Sequence, residues 1–122
     1  MFRRQRISGV LVVGALALSA CGGAAVPQDK LTSAEASVRA AEVGGAADNP
    51  QAALHLKYAR DQIAEAQKLI EDDENEAAAA LLARAEIDAE LALALSRVEE
   101  AKAEAAAARQ EIKDMQRKGS GQ

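Results

Sequence analysis

Few side chains in this sequence are of a type that could carry out chemistry. Cys21 is the only cysteine and His55 the only histidine. A metal site needs several converging ligands, so His55 is expected to be a partly exposed helix residue. The acidic run at 71–76 lacks the alternating oxygen ligands, central glycine and distant glutamate of a calcium-binding EF-hand loop. We therefore expect no catalytic residue, no metal, no cofactor and no small-molecule substrate.

Cys21 follows a leader with the pattern of an export signal. Arg3, Arg4 and Arg6 precede an apolar run at 7–18. That run is shorter than the roughly 20 residues that a membrane-spanning helix needs. A basic start, a short apolar middle and small residues before a cleavage point are typical of secretory signal peptides. We predict that residues 1–20 are removed.

The run Leu18-Ser19-Ala20-Cys21 resembles the lipobox of bacterial lipoprotein precursors, in which a branched apolar residue and two small residues precede the cysteine. The resemblance implies cleavage before Cys21, a diacylglycerol on its thiol and an acyl chain such as palmitate on its new amino group. Two or more such chains anchor a protein stably. Gly22 stands where an aspartate would favour retention in the inner membrane, so the resemblance implies an outer-membrane anchor facing the periplasm. A general signal peptide followed by an incidental cysteine is the alternative.

The body that follows the leader is acidic and nearly free of aromatic residues. The chain has 122 residues with 15 basic and 19 acidic side chains; the three leader arginines leave the body with 12 against 19, a net charge of −7. Nucleic acid is excluded as a partner, because phosphate contacts require clustered Lys and Arg. Tyr58 is the only aromatic residue of the body and is expected to pack in the core. Abundant alanine with Glu, Lys, Arg and Leu is typical of long helices or coiled coils.

Capping signals predict that the body is all-α. Thr32 with Glu35 can form a capping box that starts the first helix, and Gly44 with Gly45 can end it. We predict a tether at 21–31, a helical domain at 32–118 with helices at about 32–43, 50–71 and 75–117, and a disordered tail at 119–122.

The two later helices have their own start signals. Asn49 is a preferred N-cap, and Pro50 fits the first helical position. Asp73 and Glu76 can cap the third helix, whose positive end favours carboxylates. The run at 71–76 offers no face to bury and so predicts a turn, although it contains no Gly or Pro and one continuous helix stays open as an alternative.

Both long helices carry apolar residues at spacings of four and three, the period of coiled-coil pairs. In the second helix these are Ala52, Leu56, Ala59, Ile63, Ala66 and Ile70. In the third they are Ile87, Leu91, Ala94, Val98, Ala101, Ala105, Ala108, Ile112 and Met115. The pattern predicts an antiparallel helical hairpin or three-helix bundle with one long C-terminal coiled-coil-like helix.

The third helix is expected to be about twice as long as the second, so its half beyond Val98 overhangs the bundle. This overhang either frays, pairs with another copy of the chain or docks on an envelope protein. Its candidate partner seam consists of Val98, Ala101, Ala105, Ala108, Ile112 and Met115.

Basic side chains gather at the end of the third helix: Arg109, Lys113, Arg117 and Lys118. Cations at this end complement the helix dipole. They are also a candidate contact for an anionic surface, such as lipid headgroups.

The body resembles a family of small bacterial envelope lipoproteins classed as a domain of unknown function. The resemblance is carried by Tyr58-Ala59-Arg60, by the acidic turn and by the run at 83–92, ARAEIDAELA. Members occur alone or ahead of an OmpA-like peptidoglycan-binding domain. No such domain is expected to follow here, so peptidoglycan binding is not implied, and the family brings no established activity or catalytic residues.

These observations predict a membrane-anchored periplasmic lipoprotein with a structural or adaptor role, acting through helix–helix contacts. The alternative is a binder of peptidoglycan or anionic lipid headgroups that uses the basic helix end. A helical-repeat scaffold of tetratricopeptide type is a weaker alternative, because such arrays need about three repeats and this chain has one hairpin.

Overall fold

The computed structural model describes residues 23–121, which fold into a helical bundle. α1 (Gln28–Val43) leads through a 3₁₀ turn (Ala46–Asp48) into α2 (Pro50–Glu71), and α3 (Asn75–Gly119) follows. α3 packs against both other helices, antiparallel to α2 and parallel to α1. The predicted all-α class and the long C-terminal helix are confirmed.

α1 begins earlier than predicted. Its first residue is Gln28, and the carbonyl of Pro27 already accepts the N–H of Leu31 at 3.0 Å. Thr32 therefore lies inside the helix, and the predicted capping box between Thr32 and Glu35 is wrong. Proline favours a helix start because its ring fixes φ near the helical value, and this local signal takes precedence over the Thr32 pattern. Residues 28–31 of the predicted tether therefore belong to α1.

The turn after α1 uses its two glycines differently. Gly45 has φ of 77°, the left-handed conformation that glycine adopts without a steric penalty. Gly44 has an ordinary φ, but a Cβ placed on it would lie 2.3 Å from Cδ1 of Leu93 in α3. Gly44 therefore allows α1 and α3 to approach closely. Asn49 then caps α2, because its side-chain oxygen accepts the N–H groups of Gln51 and Ala52 at 2.9 and 3.0 Å.

Residues 72–74 form a turn between α2 and α3, which excludes one continuous helix. The N–H of Glu74 bonds to the carbonyl of Leu69 at 2.8 Å, and that of Asp73 to Ile70 at 3.1 Å. This pair of bonds closes a Schellman motif with Asp73 in the left-handed position at φ of 62°. The prediction that Asp73 caps α3 is therefore wrong: Asp73 ends α2, and α3 starts without a side-chain capping bond.

Alanine is the most frequent residue in the core of the bundle. Leu56 and Leu82 are the largest fully buried side chains in the described part of the chain. α2 buries the predicted face, apart from the partly buried Ile70. Alanine permits close helix approach but removes little apolar area from water, so each buried leucine contributes strongly at about 25 cal/mol per Å². The remaining buried apolar residues are Ala34, Val38, Ala41, Ala46, Ala52, Ala59, Ile63, Ala66, Ala78, Ala85, Ala89 and Ala92.

Candidate functional site: an exposed apolar stripe on α3

α3 buries a different face from the one that its sequence pattern predicts. The buried face consists of Ala78, Leu82, Ala85, Ala89, Ala92 and Ser96, also at spacings of four and three. Successive helical residues are 100° apart, so Ile87, Leu91 and Val98 lie about 180° from this face. Their exposed fractions are 66%, 40% and 51%. The interpretation that Ile87 and Leu91 pack inside the hairpin is therefore wrong.

Alanines form the centre of the buried face of α3, beside Leu82 and the partly buried Leu81, Leu93 and Leu95, because this helix is packed on two sides. α1 and α2 both contact it, and a face of alanines lets both helices come close at once. A face of Ile, Leu and Val would hold them farther apart. Close packing of the interior thus decides between two faces of equal periodicity.

The exposed face continues along the whole overhang. Beyond Ser96, every residue to Gly121 is exposed except Asp114, which is partly buried. Ile112 and Met115 expose 50% and 57% of their surface. We call the set of exposed apolar residues along this face the α3 stripe; it contains the whole predicted partner seam. Its members are Ile87, Leu91, Ala94, Val98, Ala101, Ala105, Ala108, Ile112 and Met115.

The α3 stripe is about 42 Å long at 1.5 Å per residue. Its N-terminal half lies on the outside of the bundle and its C-terminal half on the overhang. At the middle, Val98, Ala101 and Ala105 line a shallow groove together with Lys102 and Arg109. This groove is shaped by small side chains, which give a neighbouring helix room to approach the backbone.

Two flanks of mixed charge border the α3 stripe. One flank repeats every seven residues through Glu90, Arg97, Glu104, Glu111 and Lys118. The other repeats through Asp88, Leu95, Lys102, Arg109 and Gln116. Such positions correspond to the e and g sites of a coiled coil, which select the partner and its orientation.

The predicted basic end is only partly one surface. Arg109, Lys113 and Arg117 recur every four residues and so share a side of α3. Lys118 lies on a different side, beside Glu111. Asp114 reduces the positive character of the end, because its carboxylate lies 3.5 Å from Nη2 of Arg117.

A polar contact that no sequence pattern indicated links α2 to α3. Asp88 lies 2.9 Å from Nδ1 of His55 and accepts a hydrogen bond from Gln62 at 2.8 Å. Tyr58 packs edge-on against the His55 ring, with centroids 6.0 Å apart. Tyr58 is 44% exposed, so its predicted core position is wrong. Recognising this contact requires the register between α2 and α3, which the sequence alone does not supply.

The ionisable groups on the outside of α2 form ordinary surface pairs. A hydrogen bond from Lys57 to Asp61 raises the pKa of Lys57 above its usual value and keeps its ammonium charged. Over residues 23–121, no three His, Cys, Asp or Glu side chains are grouped to hold a metal ion. No helix in that range is both long and apolar enough to cross a membrane. Cys21 and the lipobox residues lie outside the described residues.

The match to a known family covers the fold just described. Residues 29–117 match the family model described as "Domain of unknown function (DUF4398)". The chain belongs to the DUF4398 family. The matched segment extends from the start of α1 to within two residues of the end of α3, so the overhang is part of the DUF4398 domain. Neither the curated proteins nor the solved structures include a match to this chain.

Proposed function

We propose that this DUF4398 protein is a non-enzymatic lipoprotein of the bacterial cell envelope that makes helix–helix contacts through its α3 stripe. In this proposal Cys21 carries the diacylglycerol and the N-acyl chain, which hold the protein on the periplasmic face of the outer membrane. The α3 stripe supplies the structural or adaptor contact. The observation that carries the proposal is the continuous exposure of this stripe, because apolar surface rimmed by polar residues marks interaction sites.

The path of the chain separates the anchor from the contact surface. The side-chain amide of Asn75 donates to the carbonyl of Ala24 at 2.9 Å, which holds Ala24, three residues after Cys21, at the base of α3. The overhang extends from the opposite end of the bundle. A protein attached through Cys21 therefore presents the C-terminal half of its stripe away from the attachment point.

The anchor is tested by mass spectrometry of the chain purified from membranes. We expect the N-terminal peptide to begin at Cys21 and to carry a thioether-linked diglyceride. Cys21→Ala should remove the modification and release the protein from the membrane fraction. An unmodified Cys21, or a leader still attached, would refute the anchor.

The contact surface is tested with two alanines of the overhang. Ala105 lies on the α3 stripe, whereas Ala107 is equally exposed but about 160° away around the helix. We expect Ala105→Glu to abolish crosslinking to other proteins in intact cells, because a carboxylate would be buried in the contact. The matched control Ala107→Glu should leave crosslinking unchanged. Equal effects of the two substitutions would reject the stripe as the contact surface.

The alternative function, binding of an anionic surface, has one favourable observation. Lys102, Arg109 and Lys113 are exposed along the same side of the overhang. Arg109→Glu with Lys113→Glu should then reduce cosedimentation with anionic vesicles or peptidoglycan, while Lys118→Glu should not. Unchanged cosedimentation of the double variant would reject this side as a binding surface.

A further inference from the structure

We infer that the partner of the α3 stripe is a second copy of this chain, packed antiparallel. The end of each overhang then lies along the outer face of the other copy's bundle, and the two overhangs face each other in the middle of the contact. This inference rests on the proposed function in that it uses the same contact surface, and it adds the identity and direction of the partner. Three features support it: the position of the stripe on α3, its side-chain sizes and its flanking charges.

The position of the stripe suits a two-fold symmetric pair. In such a pair the same surface is used twice, so residue i contacts j and j contacts i. The stripe runs about equally far to either side of Ala101, one half on the bundle and the other on the overhang. Antiparallel packing therefore brings the exposed half of each bundle against the overhang of the other copy. Both halves are covered in a single contact.

The side-chain sizes are complementary in one register. When Val98 lies opposite the partner's Ala108, the two large side chains in the middle of the contact, Val98 and Ile112, each meet an alanine, and Ile87 lies opposite the partner's Gly119. Ala94 then faces the partner's Ile112, and Ala101 faces the partner's Ala105. At the ends of the contact, Leu91 meets the partner's Met115. Large and small residues that alternate across a contact fill the space between two helices without voids.

The charges favour the same register. Arg97 then faces the partner's Glu111, and Glu90 faces the partner's Lys118; symmetry forms each ion pair twice. Within the described part of the chain, none of these four residues forms a salt bridge of its own. The like-charge contacts, of Glu104 and of Lys102 with their own copies, occur once each near the two-fold axis. Attraction therefore exceeds repulsion along the contact.

In other arrangements of the two copies, the attractive charge contacts no longer outnumber the repulsive ones unless Asp88 takes part. A parallel pair in register places Arg97 against Lys102, which cancels the attraction between Glu104 and Arg109. An antiparallel shift by one heptad places either Glu90 or Glu104 against the partner's Glu111. The shift that places Glu90 against the partner's Glu111 would also need Asp88 to pair with the partner's Arg109.

Asp88 is poorly placed for that role. Both of its carboxylate oxygens are already engaged, one by His55 and the other by Gln62. Its side chain is 18% exposed. The register that pairs Arg97 with Glu111 is thus the one in which every opposite-charge contact uses an exposed side chain.

The test is a charge exchange in the full-length chain. Two copies with different tags are expressed together, extracted from membranes in detergent, and the capture of one copy by the other is measured. Arg97→Glu and Glu111→Arg should each weaken capture about tenfold, because two surface ion pairs become like-charge contacts. The double variant should restore capture. These two residues are 14 apart on one helix, or about 21 Å, so the restoration would have to occur between copies.

Glu100→Arg is the matched control, because Glu100 is exposed on the overhang but lies on neither the α3 stripe nor its two flanks. It should leave capture unchanged. Glu104→Arg and Arg109→Glu test the direction of the pair: the proposed register does not pair these two residues, so neither substitution should rescue the other. Absence of capture by the unmodified chain would overturn the inference. So would failure of the double variant to restore capture, or a mutual rescue of Glu104→Arg and Arg109→Glu, which would indicate a parallel pair. Membrane sedimentation of the same samples tests the proposed anchor separately, since all these variants keep residues 1–31 unchanged.

Discussion

The face that α3 turns toward the core can be tested with two leucines on the same helix. Leu82 is completely buried, whereas Leu91 is 40% exposed on the α3 stripe. Leu82→Ala and Leu91→Ala remove the same atoms from the same type of secondary structure. The difference between their effects therefore reports burial alone.

The two substitutions should differ severalfold in their effect on the free energy of unfolding. Loss of a fully buried leucine costs about 2–5 kcal/mol, because the surrounding core relaxes only partly into the cavity. The bundle interior is close-packed alanine with little freedom to collapse, so we expect about 3 kcal/mol for Leu82→Ala. Leu91 has no facing helix within its own chain, and partial coverage gives about 1 kcal/mol for Leu91→Ala.

Thermal unfolding followed by far-UV circular dichroism measures both values. For a domain of this size, 1 kcal/mol corresponds to roughly 4–8 °C. We therefore expect Tm to fall by roughly 12–24 °C for Leu82→Ala and by roughly 4–8 °C for Leu91→Ala. The chain should be dilute, so that contacts between copies do not contribute. Equal shifts, or a larger shift for Leu91→Ala, would refute the burial of the alanine face.

Substitutions at three further positions test local features of the bundle by the same measurement. Gly45→Ala should cost about 1–2 kcal/mol, because a side chain in the left-handed conformation brings Cβ close to the backbone carbonyl; an unchanged Tm would contradict the turn geometry. Asn49→Ala should cost about 1 kcal/mol and Asn49→Gly only a few tenths, since glycine lets water reach the uncapped N–H groups; equal losses would reject the cap. Asp88→Ala should cost about 1–3 kcal/mol, because it leaves His55 and Gln62 without their shared acceptor. Asp88→Asn, which keeps a side-chain acceptor, should cost less, and the reverse order would argue against this hydrogen-bonded contact.

The sequence predicts the helices wherever a local signal is unambiguous. Asn49 and Pro50 mark the start of α2, and Gly44 and Gly45 mark the end of α1, because each depends on a few backbone groups nearby. The start of α1 differs from the prediction because Pro27 is compatible with a helix start as well as Thr32, for a different reason: its φ is fixed by the ring. The hydrogen bond from Leu31 to Pro27 shows that the helix begins before Thr32.

The buried face of α3 could not be read from periodicity. Two faces repeat at spacings of four and three, and large apolar residues lie on or beside both of them. The interior takes the alanines and Leu82, with Leu81, Leu93 and Leu95 partly buried beside them, because two helices must fit around this side of α3. That preference depends on the volume available at helix contacts, which a single-helix pattern does not contain. The candidate site was therefore found in sequence as a seam, but its position outside the bundle was not.

The contact between His55 and Asp88 illustrates a second limit of the sequence. The two residues are 33 positions apart, and their distance depends on the length and geometry of the turn at 72–74. A left-handed aspartate at position 73 sets how α3 leaves α2. Small changes in that turn would shift the register and separate the pair.

The bond between Asn75 and Ala24 has a consequence for how a two-fold pair meets a bilayer. In the proposed lipoprotein, Ala24 follows the lipid-bearing Cys21 by three residues and is held at the base of its own bundle, and the inferred antiparallel packing directs the two bases outward. At 1.5 Å per residue the two bonds between Asn75 and Ala24 lie roughly 80 Å apart. An upright complex could insert the lipids of only one copy into a given leaflet, so two lipidated copies that share a leaflet must lie lengthwise along its surface.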